Sequence, residues 1–180
     1  MTKTFPKFFA QRPGPDEYKP YYHTYIALVP DGNLLAGLSE QHGVTQQALC
    51  GLTEAQALFR PAPAEWSIKQ VIGHLIDSER IFAYRLLRFA RGDERSLRGY
   101  EQGPYVDAAR FDELRLADLL EEFAAVRAGN LLMIAGLDEP AWKRGGIASD
   151  NPVTARALGW TIAGHERHHL LSLREKYLPK

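Results

Sequence analysis

The sequence predicts an all-α protein folded as a four-helix bundle. Four apolar series recur at helical spacing, no run alternates in the manner of a strand, and two longer connections separate the helices. A chain of 180 residues can bury one sizeable core and is short for two, so residues 1–180 read as a single domain.

Residues 1–30 form an arm rich in Pro and Tyr, with Pro13, Pro15, Tyr18, Pro20, Tyr21, Tyr22, Tyr25 and Pro30. Proline resists a long helix while tyrosine rings bury well, so the arm is expected to pack over the bundle. Asp31 stands as N-cap before Leu34, Leu35, Leu38, Thr45, Ala48, Leu49 and Leu52, the first helix. His42 falls in its middle, either turned inward as an extra metal ligand or lying at the surface.

Arg60-Pro61-Ala62-Pro63 breaks the chain, and Ser67 with Gln70 makes a capping box for a second helix that runs to about Arg91. Val71, Ile72, Leu75, Ile76, Phe82, Leu86 and Phe89 form its apolar face, and His74 lies on the flank of that face. Gly92 is the stop. The stretch from Asp93 to Phe111 reads as irregular, either a wall or lid carrying Tyr100 or a plain crossover.

A third helix is expected from about Asp112 to Ala135, with Arg127 and Asn130 interrupting its apolar side. Both are candidates to line a pocket, although a long arginine also snorkels to solvent. After a loop containing Gly145-Gly146 and Asn151-Pro152, Thr154 opens a fourth helix that reaches Tyr177.

Composition removes several classes of function. The 22 basic and 22 acidic residues cancel, leaving no electrostatic footprint for nucleic acid. Cys50 is the single cysteine, which forbids an intramolecular disulfide and a thiolate cluster and suits a reducing cytoplasm. The apolar patch at Phe5, Phe8 and Phe9 is broken by Pro6 and Lys7, and no run is apolar enough for a membrane span.

The fourth helix carries Gly164-His165-Glu166-Arg167-His168-His169. On a helix His165 and His169 share a face, with Cβ atoms about 5–6 Å apart, close enough to hold one ion. His168 points about 100° away and is left out. With His74 facing them across the bundle, three imidazoles would cap a divalent ion and leave positions open for water, thiol or substrate. Asp77, three residues after His74, is the candidate carboxylate for orienting a ligand imidazole.

Glu166 makes the same letters an H-E-x-x-H zinc peptidase motif. The extended form of that motif requires Gly and His where Ser172 and Glu175 stand, so Glu166 reads instead as a supporting or solvent-facing residue. A bundle that binds metal or a small ligand without catalysis, such as a stress protein, is the main alternative. No Ser-His-Asp set is visible, and Cys50 has no neighbouring cue for activation.

Trp66-Ser67-Ile68-Lys69, Gly73-His74-Leu75-Ile76-Asp77-Ser78-Glu79-Arg80, Ala90-Arg91-Gly92-Asp93 and Gly164 to His169 together resemble the DinB/YfiT-like superfamily. The likeness extends from Tyr25-Ile26-Ala27-Leu28-Val29-Pro30 to Tyr177-Leu178. It implies an up-down-down-up bundle with long crossover loops and a divalent metal on His74, His165 and His169. Zn or Ni is the expected ion, with Fe or Mn as further options. Relatives include thiol-dependent transferases and isomerases, so a small-molecule substrate and a low-molecular-weight thiol such as bacillithiol or mycothiol are expected partners. Helix faces left apolar and exposed pair in many bundles, and a homodimer is the corresponding expectation.

Overall fold

The computed structural model describes residues 6–178; residues 1–5 of the arm, Phe5 among them, lie outside the described part. Three 3-10 turns, Lys7–Ala10, Pro15–Glu17 and Pro20–Tyr22, lead into a single helical turn, α1 (His23–Ile26). Four long helices follow: α2 (Leu34–Leu49), α4 (Ile68–Ala90), α6 (Leu116–Ala135) and α8 (Ala155–Lys176). Between them lie the short helices α3 (Glu54–Ala57), α5 (Gln102–Ala109) and α7 (Glu139–Lys143), and a hairpin of β1 (Gly145–Ala148) with β2 (Asn151–Thr154).

Side-chain contacts fix the directions of the long helices. Lys69 donates to the Leu114 carbonyl and Arg80 to Glu122, so α4 and α6 run parallel. Gln46 reaches the Leu120 carbonyl and Leu38 meets Arg127, so α2 runs against α6. Thr45 meets Glu166 and Leu34 lies beside Gly159, so α2 and α8 are parallel. His74 faces His165 and His169 while Phe82 also meets His165, which sets α4 antiparallel to α8. This is the up-down-down-up bundle. Parallel α4 and α6 require the chain to return along the bundle between them, and residues 91–115 make that return.

Caps explain the helix starts. Ser67 and Gln70 form the expected box, with Gln70 N–H donating to Ser67 Oγ at 3.0 Å and Ser67 N–H to Gln70 Oε1 at 3.1 Å. Thr154 accepts the Ala157 amide at 3.0 Å. The cap of α2 is Asn33, not Asp31: Asn33 Oδ1 accepts from Leu35 and Ala36, while Asp31 pairs with Arg12 at 3.0 Å. The third long helix starts at Leu116 rather than near Asp112, because Arg110 is left-handed (φ 53°) and Leu114 is extended. Asp112 instead accepts hydrogen bonds from Ser67 and Arg60.

Two elements read from sequence as irregular are ordered. Helix α5 holds Gly103 and Pro104 in its first turn, where a missing N–H is harmless. The hairpin turns at Ser149 and Asp150, both at positive φ (51° and 61°), as a two-residue turn requires. Its strands contain Gly145, Gly146 and Pro152, which erase the alternation that would have announced them.

The arm packs on the bundle at defined points. Phe9 buries edge-on against Trp142, and Arg12 donates to the Ile26 and Val29 carbonyls while stacking over Trp160. Glu17 accepts from Thr154, the N-cap of α8, and from Arg156. Burial alone would push the Glu17 carboxyl up, but bonds from Arg156, the Gly14 amide and Thr154 outweigh it and hold its pKa below the usual value. A carboxyl with a depressed folded pKa stabilises above its unfolded value and loses that contribution as pH falls through the folded one. Glu17→Gln is therefore expected to cost about 1–2 kcal/mol at pH 7, with the gap to wild type closing in acid below about pH 4. Paired urea melts across that range measure it, and a gap independent of pH would contradict it.

The core falls into two apolar clusters, and in each long helix polar positions lie between members of the two. One cluster holds Leu38, Phe82, Ile134 and Ala163; the other holds Leu49, Ile76, Phe123 and Leu173. Between them come Thr45 on α2, Ser78 and Glu79 on α4, Arg127 on α6, and His165 and Glu166 on α8. Among the described residues no helix is long and apolar enough to cross a membrane.

Candidate metal centre

His74 comes from α4, and His165 and His169 come one turn apart from α8. Nε2 of His165 lies 3.1 Å from Nε2 of His74 and 3.1 Å from Nε2 of His169. All three donor atoms lie within 4.8 Å of one another. Ligand nitrogens about 2.0–2.1 Å from a common ion at a tetrahedral centre stand about 3.3 Å apart, so the observed spacing fits one shared ion.

The glycines that precede these ligands let other segments come close. A Cβ on Gly73 would run into the Phe111 ring, and one on Gly164 would collide with the Tyr25 carbonyl. Each ligand helix thus accepts a covering segment directly beside its histidine.

Burial keeps the imidazoles uncharged. Desolvation pushes His74 down to about 4 and His169 to about 3, the latter helped by the positive fields of His74 and His168. His165 is lowered by its burial first and by the neighbouring His169, His74 and His168 next. Neutral nitrogens with free lone pairs are what a divalent ion needs.

The support of His74 is a hydroxyl chain. Ser78 Oγ lies 3.3 Å from His74 Nδ1 and 2.8 Å from the Tyr100 hydroxyl. With Nε2 turned to an ion, Nδ1–H donates to Ser78, which fixes the tautomer and ring plane. The indole of Trp66 packs 4.9 Å from the same ring, and Tyr25 meets His165 edge-on at 5.2 Å.

His165 also lines a cavity of about 410 Å³ bounded by Tyr21, Tyr22, Tyr25, Phe82, Arg85, Tyr100 and Ser149. Desolvation raises the Tyr22, Tyr25 and Tyr100 hydroxyls above the ordinary tyrosine value, so they stay protonated.

Several expected site residues sit elsewhere. Asp77 faces Arg80 at 3.8 Å, and the imidazole it was expected to orient is held by Ser78. Arg127 neither snorkels nor lines the cavity: at 2% exposure it donates to both Glu79 and Glu166 and to the Leu38 carbonyl. Asn130 donates to Glu79 Oε1 at 3.1 Å, away from the imidazoles. Glu166 is buried and accepts from Thr45 at 2.7 Å and Arg127 at 2.9 Å, so it is no free base for a peptidase. His42 packs on Phe123 and Gln46 outside the cluster, whereas His168, not expected in the site, is exposed beside Tyr25. From the stretch expected to form a wall, Tyr100 and Gln102 do reach the cavity.

Ser78 and Arg85 were missed. With His74 and Phe82 they continue one stripe of α4 at steps of four, four and three residues, a pattern readable once His74 is taken as facing inward.

The sequence matches the family model of the DinB superfamily over residues 38–173, about three quarters of the chain. The chain belongs to the DinB superfamily. Among solved structures it is similar to YfiT from Bacillus subtilis, described as a probable metal-dependent hydrolase with an unusual four-helix bundle topology. The two share 16% sequence identity at a TM-score of 0.69, over 94% of this chain and 95% of YfiT. No curated protein matches. At that identity the likeness to YfiT speaks for the fold of this DinB-superfamily chain, and the case for a metal centre rests on the imidazole geometry.

Proposed function

We propose that this protein is a metal-dependent enzyme in which His74, His165 and His169 hold one divalent ion, with Zn or Ni preferred and Fe or Mn as alternatives. The observation that carries this reading is the convergence of three neutral Nε2 atoms, from two buried imidazoles and the half-buried His169, with His165 also lining a cavity. When bound, the ion supplies Lewis acidity that lets a water or a small thiol ionise near neutral pH and attack an electrophile.

The chain's own residues divide the remaining tasks. Ser78 holds the His74 ring through Nδ1, and Tyr100 holds Ser78. Tyr22, Tyr25 and Phe82 keep bulk water from one side of His165 and offer ring faces to a small organic substrate. The Tyr100 hydroxyl, protonated at neutral pH, is available as a hydrogen-bond donor at the cavity wall. The description of YfiT favours water over thiol as the attacking group. A small-molecule hydrolase is accordingly the leading form of the proposal, with thiol transfer as the second.

The test is a panel of activated esters and amides, and of alkylating electrophiles with cysteine-like thiols, run on protein stripped of metal and then reloaded. Turnover is expected to vanish on stripping and to return on reloading. Turnover indifferent to metal would sink the mechanism, and one tightly held ion with no turnover across the panel would favour the non-catalytic binding bundle.

A further inference from the structure

Arg85 lies on α4 eleven residues after His74, about 16 Å further along the helix axis, and lines the same cavity as His165. Its residue exposure is only 3%. Arginines are rarely buried to this degree without a counter-charge, since an unpaired buried ion is strongly unfavourable.

Arg127, the other arginine buried this deeply, shows the usual solution by pairing with two carboxylates. Arg85 has no carboxylate partner among the described residues. Its Nη2 donates to the Arg98 carbonyl at 3.0 Å and to Ser149 Oγ at 3.1 Å, both neutral acceptors, and its charge also favours ionisation of the nearby Tyr22 hydroxyl. The hairpin turn and the loop after α4 therefore hold the guanidinium in place and leave its charge uncompensated. Lys19 adds a second cation to the cavity lining, while Glu101 and Asp150, the acidic groups there, are exposed and screened by solvent.

We infer that Arg85 is the specificity-determining residue of the cavity and anchors the carboxylate of a small organic acid whose body lies among Tyr22, Phe82 and Tyr100. A planar guanidinium matches a carboxylate through paired N–H donors, and one buried positive charge balances one monoanion. The aromatic walls suit a ring or short apolar chain rather than a bare ion. The inference deepens the proposed function by naming the substrate class, and it rests on that reading only for which end of the acid faces His165.

The probe is benzoate, with the neutral amide benzamide of the same shape as control and inorganic phosphate as a competing anion. Binding is measured by calorimetry on metal-free protein, so its outcome is independent of whether the histidines hold an ion; metal content is measured separately. Wild type is expected to bind benzoate and to discriminate against benzamide and phosphate. Arg85→Gln is expected to weaken benzoate roughly 10–100-fold while keeping the wild-type circular dichroism spectrum.

Equal benzoate affinity in Arg85→Gln and wild type, equal affinity of wild type for benzoate and benzamide, tighter binding of phosphate, or no saturable benzoate binding would each overturn the assignment. Should Arg85→Gln not fold, intermolecular NMR contacts from benzoate to the Tyr22 and Phe82 rings of wild type decide the matter: their presence supports the site and their absence refutes it.

Discussion

Alanine in place of His165 is expected to leave the purified protein with no bound metal where wild type holds one ion. His165 stands 3.1 Å from each of the other two imidazoles, so its removal leaves an ion only two nitrogens, one from each helix. Loss of a residue that merely supports a ligand weakens metal binding about 10–100-fold, and loss of a ligand should exceed that range. Elemental analysis of both proteins gives the stoichiometry, and titration of the stripped proteins with zinc or nickel gives the affinity.

The same substitution should uncouple stability from metal. An ion present at about 1,000 times its dissociation constant stabilises the folded state by about 4 kcal/mol. A chelator should therefore lower the Tm of wild type and leave that of His165→Ala unchanged. A variant that kept a full equivalent of metal would refute the three-histidine centre.

Arg127→Ala is expected to be the most damaging change away from the imidazoles, at about 3–5 kcal/mol of stability. Arg127 draws all four long helices together, donating to Glu79 of α4, to Glu166 of α8 and to the Leu38 carbonyl of α2 from its own place on α6. Truncation strands two buried carboxylates, and the loss corresponds to a fall in Tm of roughly 6–20 °C. Removing the charges together, in Arg127→Met with Glu79→Gln and Glu166→Gln, should recover much of it, because neutral groups are cheaper to bury. Urea melts of the single and triple variants test both statements, and a single variant within about 1 kcal/mol of wild type would refute the first.

The bundle was legible because apolar spacing, caps and stops agreed at Ser67, Gly92 and Thr154. The hairpin and α5 escaped because their short spans carry Gly and Pro at positions where neither period can show. The imidazole triad was visible as spacing on α8 plus one inward histidine on α4. Its surroundings were not. Whether Arg127, Asn130 or Glu166 meets a cavity or a counter-charge depends on which helices are neighbours, and an interrupted apolar stripe reads the same in either case. Asp77 was the expected companion because carboxylates commonly hold ligand histidines, but the step of four residues puts Ser78 under the His74 ring.

Tyr21, Tyr22 and Tyr25 precede residue 38, where the match to the superfamily begins, whereas the three histidines, Ser78, Arg85 and Tyr100 all fall inside it. Three of the cavity's aromatic rings thus hang on a strap seated at Gly164 by backbone contact and at α8 by Glu17, while Phe82 comes from the bundle itself. The three imidazoles and part of the cavity's aromatic wall lie on separate lengths of chain. Exchanging the strap for one of different ring content would reshape the cavity's mouth while leaving Arg85 and the histidine-bearing helices as they are, which makes the strap a second place, besides Arg85, at which to retune this protein.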